Sequence, residues 1–391
     1  MNKETITNKI KQAKLEITQK INEVKDNTSN NYLDYVKYYG NNTFEDKEFN
    51  EIDNIVLSVL SYVDFTAIVS NNDRSKITIE EASKIFFEKY TQKEIDKMYI
   101  SEKEGINLLK LLSNSKRFKD IKLFNYLYIG DDSSQFSVIT CEINKNLYFI
   151  SYEGTDKLLS GWEEDCKMAY SFPVEAHVYA KKYLDKYTMK KVKLILGGHS
   201  KGGNLALVAG MYCNYFVKKK IIKIYSNDGQ GLRKTQIESK YYEKIKDRYI
   251  HIIPNSSVVG LLLRHDNNYI VVKSNKPGLF SHGALSWQVS YDHFVKTKLT
   301  RFSKVFDDGF SKWLDKYDDE KRKLFVKEIF NIFYSNNLKT LLDIKLNKDL
   351  LINILNKSKE INPEVKEMTM DLLKVIAKTN LEYPLFWYII K

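Results

Sequence analysis

Val192-Lys193-Leu194-Ile195-Leu196, followed directly after one glycine by Gly198-His199-Ser200-Lys201-Gly202, decides how this chain is read. An apolar run leads into G-x-S-x-G, the pattern that sets a serine on a tight strand-to-helix turn. The flanking glycines suit a turn that forces its serine into a strained backbone conformation. Gly203 and then Asn204-Leu205-Ala206-Leu207-Val208-Ala209-Gly210 follow. Small residues on the first turns let such a helix pack closely beneath the strand that precedes it. Five residues alone are a weak pattern; a strand before and a small-residue helix after supply the context it needs.

Working outward, Phe136–Cys141 and Leu147–Tyr152 read as strands joined at Asn144-Lys145-Asn146 in a hairpin. A helix is expected around Val174 to Lys186, and further strands at Ile221–Tyr225, Tyr249–Ile253 and Tyr269–Val272. Near-continuous apolar strands alternating with helices argue for a parallel sheet covered on both faces. From Tyr32 to about Ser115 the pattern is mostly helical, with Asn50–Leu60 as a buried helix and a cap-like start at Thr78. From about Asp292 onward it turns helical again. Residues 1 to 28 space Ile6, Ile10, Ile17, Ile21 and Val24 as an amphipathic helix. The expected division is 1–30 as that helix, 31–298 as the main domain and 299–391 as a helical segment packed on it.

The chain has 391 residues, of which 43% are hydrophobic, enough for a substantial core. Its net charge is +12, but the lysines are scattered among Asp and Glu and read as solvated surface, so a nucleic-acid partner is not expected. Three cysteines, Cys141, Cys166 and Cys213, are too few and too dispersed for a disulfide framework or a metal cage. The first residues lack the apolar region of a secretory signal, and no apolar run is long enough to span a bilayer. A soluble cytoplasmic protein of bacterial type is expected.

A serine hydroxyl attacks well only when a base takes its proton and an acid orients that base. In the strand–turn–helix setting the acid and then the histidine follow the serine in the chain. That order sets aside His177 and His199; packing is the expected role of His199, and His251 reads as a core or sheet-face residue. His282, in Phe280-Ser281-His282-Gly283-Ala284, is the base candidate, with His293 as runner-up. Asp228, in Ser226-Asn227-Asp228-Gly229-Gln230-Gly231, is the acid candidate, with Asp266 as the alternative. For an oxyanion, one donor is the backbone N–H of Lys201 at the helix N-terminus. The other is expected from the loop Glu153-Gly154-Thr155-Asp156. The Lys201 side chain, on an exposed helix start, is expected in solvent.

Tyr152–Asp156, Gly161–Asp165, Gly198–Ala206, Ile253–Gly260 and Ser286–Val289 together resemble the Mbeg-like bacterial proteins. With Asp34-Tyr35 and Phe49–Asn54 the resemblance runs from about Tyr32 nearly to the C-terminus. It implies an α/β-hydrolase fold: a mostly parallel central sheet covered by helices, with helical N- and C-terminal extensions. More distantly the same blocks are similar to class 3 lipases, whose oxyanion-hole hydroxyl residue corresponds to Thr155 and whose lid leads into Trp162. Two departures stand out. Glu153 occupies the place of an arginine, and Asn255-Ser256-Ser257 occupies the place where those lipases carry their catalytic Asp. The acid has therefore moved or been lost, which favours Asp228.

These readings make the chain a serine hydrolase of carboxylic esters, small-molecule or lipid, with Ser200, His282 and Asp228 as its triad and neither cofactor nor metal. Asp156 to Trp162 is the candidate lid, and residues 1–28 the candidate for a weak membrane-surface contact. The alternative is a catalytically reduced hydrolase fold used for binding at membrane surfaces.

Overall fold

The computed structural model describes residues 30–130, 134–156, 158–336, 338–340 and 362–379. The amphipathic helix read in residues 1–28 lies outside them, as does Lys157 of the candidate lid. Eight strands form one sheet whose spatial order follows the chain: β1 (Ile77–Thr78), β2 (Lys122–Gly130), β3 (Gln135–Asn144), β4 (Leu147–Tyr152), β5 (Lys193–His199), β6 (Ile221–Asn227), β7 (Tyr249–Pro254) and β8 (Tyr269–Val272). The first four pair antiparallel and β4 through β8 pair parallel.

Side chains alternate across the sheet, so each strand feeds two cores. Phe149, Ile195, Tyr225 and Ile252 face a layer built from α1 (Tyr32–Tyr39), α2 (Glu51–Leu60), α3 (Ile79–Lys89) and α4 (Ile100–Leu112). Ile150, Leu194, Leu196 and Ile224 face the opposite layer. Two helices of that layer are α6 (Glu175–Asp185) and α7 (Lys201–Tyr212); α5 (Leu159–Lys167) precedes them in the chain. Asn50 caps α2 through hydrogen bonds from the Ile52 and Asp53 amides, and Thr78 caps α3 with Glu81 in a capping box.

The C-terminal helices α8 (Arg301–Lys316), α9 (Asp319–Tyr334) and α10 (Pro363–Thr379) pack on the same body. Trp313, Leu314, Tyr317 and Met368 form a cluster with Met168, Val174 and Leu263. Five parallel strands, covering helices on both faces and a serine turn after β5 make this an α/β-hydrolase fold.

Two expectations need correction. Strands begin before Phe136: β1 and β2 extend the sheet by two antiparallel members. In β2 the register slips between Phe124 and Leu127, and Asn125 takes φ +53°, so the alternation that marks a strand is broken there. Helix does not resume at Asp292. His293–Phe294 pairs with Val289–Ser290 as a short antiparallel ladder, and α8 starts at Arg301 behind its Thr300 cap.

Candidate active site

The elbow is built by close backbone approach. Ser200 sits between β5 and α7 with φ +57° and ψ −133°, a conformation that costs a non-glycine residue about 1–3 kcal/mol. What holds it is cross-strand bonding at the end of β6. The Ser200 amide donates to the Asn227 carbonyl at 3.0 Å, and Asn227 Nδ2 donates to the Gly198 carbonyl at 3.1 Å. Asn54 Nδ2, from α2, donates to Asn227 Oδ1 at 2.8 Å. Gly202 is required by space: a Cβ there would lie 2.1 Å from the Tyr152 carbonyl oxygen.

Asp228 follows β6 directly and is fully buried, itself taking φ +50°. Its Oδ2 accepts from His282 Nδ1 at 2.6 Å. Its Oδ1 accepts from Ser257 Oγ at 2.5 Å and from the Gly260 amide at 3.1 Å. The segment Asn255-Ser256-Ser257, where an acid was missing from the pattern, thus contributes a hydroxyl to Asp228, the acid candidate at the end of the neighbouring strand.

Two histidines not chosen as the base hold the turn after Asp228. His251 donates from Nε2 to the Gly229 carbonyl at 3.1 Å. His177 Nδ1 accepts from the Val174 amide, so its Nε2 donates to Asn204 Oδ1 at 2.7 Å, and Asn204 Nδ2 donates to the Gln230 and Gly231 carbonyls. Burial pushes both imidazoles down to about 4, which keeps them neutral near pH 7.

His282 ends a short 3-10 turn, Gly278–His282, and its side chain is one-quarter exposed. Its ring lies against that of His199, with centroids 4.5 Å apart. His199 Nε2 donates to the His282 carbonyl at 2.8 Å, so its Nδ1 accepts from Tyr62 Oη at 2.9 Å. Burial, then the nearby His282, pushes His199 down to about 3, making it a neutral brace for the turn that carries His282. Ser200 and His282 line one cavity of about 230 Å³, together with Tyr62, Tyr99, Glu104, Thr155 and Trp162 among others. No hydrogen bond joins Ser200 Oγ to His282 among the described residues. The Asp228–His282 pair is hydrogen-bonded and the His282–Ser200 pair is not.

The remaining candidates divide clearly. Thr155 reaches the cavity wall, and its hydroxyl donates to Asp165 Oδ2 at 2.5 Å. The Lys201 amide, on the first residue of α7, has no intrahelical acceptor and is available to a ligand. The Lys201 side chain departs from expectation: it is wholly buried. Its Nζ lies 2.5 Å from Glu164 Oε2 and donates to the Gln135 carbonyl at 2.9 Å. The helix start is covered by α5 rather than exposed, so the ammonium requires a buried counter-charge. Glu164 Oε1 accepts in turn from Ser134 Oγ and the Ala176 amide, both at 2.9 Å.

His293 lies in the short ladder, largely exposed and bonded to Asp292, and lines a different cavity. Asp266 accepts from Tyr242 Oη and the Asn268 amide, and is not brought to His282. In the candidate lid, Trp162 Nε1 donates to the Asp156 carbonyl at 3.1 Å, and the Leu159 amide donates to Lys339 at 2.9 Å. Among the described residues no group of three or more His, Cys, Asp or Glu is placed to hold a metal ion, and no helix is long and apolar enough to cross a membrane. Ser257, Asn227, Asn54, Glu164 and Glu104 were missed by motif reading. A hint was present in Asp53 and Asn54, polar residues inside an otherwise apolar helix.

The Mbeg1-like family model matches residues 112–331, more than half of the chain. The chain belongs to the Mbeg1-like family. That match spans β2 through α9 and includes the elbow, Asp228 and His282. No curated protein sequence matches this Mbeg1-like chain. Among solved structures it is similar to M37 lipase, at 16% identity over 55% of this chain and 70% of that one, with a TM-score of 0.33. It is also similar to Rhizomucor miehei lipase in its propeptide complex, at 13% identity over 41% and 59% of the two chains, with a TM-score of 0.28.

Proposed function

We propose that this Mbeg1-like protein is a serine hydrolase of carboxylic esters. The observation that carries the reading is the 2.6 Å hydrogen bond from His282 to buried Asp228, facing the same cavity as a serine held at positive φ. Ser200 Oγ attacks the acyl carbonyl while His282 Nε2 takes its proton; the acyl-enzyme forms as His282 returns that proton to the leaving alcohol. Water then enters by the same route in reverse. Asp228 fixes the His282 tautomer, with Nδ1 carrying the proton toward the carboxylate, and stabilises the imidazolium. The backbone amides of Lys201 and Thr155 are the proposed oxyanion donors, since the Thr155 hydroxyl proton is given to Asp165.

A cavity of about 230 Å³ is small for an acyl ester with a long chain. A 150 Å³ cavity holds benzene, so this one takes about nine heavy atoms. Hydrolysis of p-nitrophenyl esters of increasing length tests both points. The expected result is highest kcat/KM for short acyl groups, and loss of activity in Ser200→Ala; a Ser200→Ala protein as active as the parent contradicts the proposal. The Asp228–His282 bond favours this reading over a catalytically reduced, binding-only fold, whose main support was the lack of an acid at Asn255–Ser257.

A further inference from the structure

The cavity wall holds a carboxyl group that the proposed reaction does not use. Glu104, on the first turns of α4, lines the same cavity as Ser200. Its Oε1 accepts from the hydroxyl of fully buried Tyr32 at 2.5 Å, which fixes the side chain. No other hydrogen bond and no lysine or arginine meets this carboxyl among the described residues. Burial pushes Glu104 above the ordinary carboxyl range, with Tyr32 and His282 acting against that rise. Beside the polar Ser101, Thr155, His199, Ser200 and His282, the cavity is lined by apolar and aromatic residues, Val59, Ile100, Ala284, Tyr62, Tyr99 and Trp162. In a chain of net charge +12, the cavity lining contains no lysine or arginine.

A half-buried carboxyl with neither lysine nor arginine beside it is costly to ionise, and a cation that enters its cavity relieves the cost. Tyr62, Tyr99 and Trp162 line the same cavity, and an aromatic ring adds attraction for an ammonium group, above all a quaternary one. We infer that the cavity selects short esters carrying an alkylammonium group, with Glu104 as its counter-charge and the aromatic walls as its cage. The inference rests on the hydrolase reading for its chemistry, but the pocket it describes binds the cation whether or not Ser200 reacts. Room for about nine heavy atoms fits a short acyl group joined to a small ammonium alcohol.

Two matched substrates test it: acetylcholine and its neutral isostere 3,3-dimethylbutyl acetate. The wild-type protein is expected to favour the cationic ester at least tenfold in kcat/KM, and Glu104→Gln to reduce that ratio about tenfold. Choline binding to the full-length Ser200→Ala protein, followed by calorimetry, reads the pocket without catalysis and is expected to weaken by a similar factor in Ser200→Ala/Glu104→Gln. Cleavage of both esters at equal rates with no choline binding overturns the ammonium pocket and leaves the hydrolase standing. Choline binding with neither ester cleaved sustains the pocket and overturns the hydrolase. An equal fall on both esters in Glu104→Gln overturns the inference and assigns the carboxyl to His282. The wild-type ratio needs no variant, so a misfolded Glu104→Gln does not rescue the idea.

Discussion

Asp228 accepts three hydrogen bonds, from His282, Ser257 and the Gly260 amide, and each does different work. In the proposed reaction the first orients the base. The other two saturate the carboxylate and aim it. Removing the Ser257 hydroxyl deletes a buried bond to a charged group, worth about 1.5–3 kcal/mol. Ser257→Ala should therefore lower kcat on a p-nitrophenyl ester about tenfold, with the fold kept as judged by circular dichroism. Asp228→Asn should cost about 10⁴, as expected where the tautomer-fixing acid is lost. Equal, small losses in both variants would contradict the assigned roles. Ser200 was legible because its motif is local, and chain order pointed to Asp228 and His282. Ser257 and Glu104 were not legible, because each reaches the site from a distant element and neither carries a local pattern.

At the scale of elements, α7 approaches β4 and β6 so closely that only glycine fits at Gly202. Gly202→Ala would place its Cβ 2.1 Å from the Tyr152 carbonyl, a clash with backbone that cannot swing away. The expected result is loss of activity with a lowered melting temperature; a variant with full activity would show that the elbow is looser than described. Helix α5 covers the same junction and carries Asp165, which burial raises from 3.8 to about 6 against the lowering effects of Lys201 and Thr155. Its Oδ1 has no hydrogen-bond partner, and Lys201 Nζ is 4.0 Å away. Between pH about 4 and 6 the unfolded chain gives up this proton and the folded one keeps it. The folded state thus loses stability as pH rises through that window, by about 3 kcal/mol at most. Asp165→Asn should match the parent's relative stability least at pH 7 and most at pH 4, gaining on it as pH rises. Melting curves whose difference stays constant from pH 4 to 7 would contradict this. The parallel strands and α7 were readable from apolar runs and small residues, whereas β2 was hidden by its bulge at Asn125. The covered start of α7 was hidden too, since nothing local tells that α5 lies over Lys201.

At the scale of the molecule, the N-terminal helical layer is tied down by Arg117 and Asp53, both fully buried. Arg117 meets Asp53 through Nε at 2.9 Å and its terminal nitrogen at 2.6 Å, and also donates to the Thr43 and Lys47 carbonyls. Removing one partner strands a buried charge, at a cost of about 3–5 kcal/mol. Arg117→Ala should therefore lower the denaturation midpoint sharply, while Lys312→Ala, at an exposed pair with Asp308, should leave it within experimental error. This layer bears on the proposed function because it supplies Val59, Tyr62 and the Tyr99–Glu104 wall of the cavity, so the sheet presents the proposed nucleophile and the helical layer shapes what reaches it. The most direct measurement is to treat the full chain with a fluorophosphonate probe and map the adduct by mass spectrometry. The account predicts one adduct, on Ser200, lost in Ser200→Ala and slowed in Asp228→Asn; an unlabelled Ser200 in folded protein would contradict it.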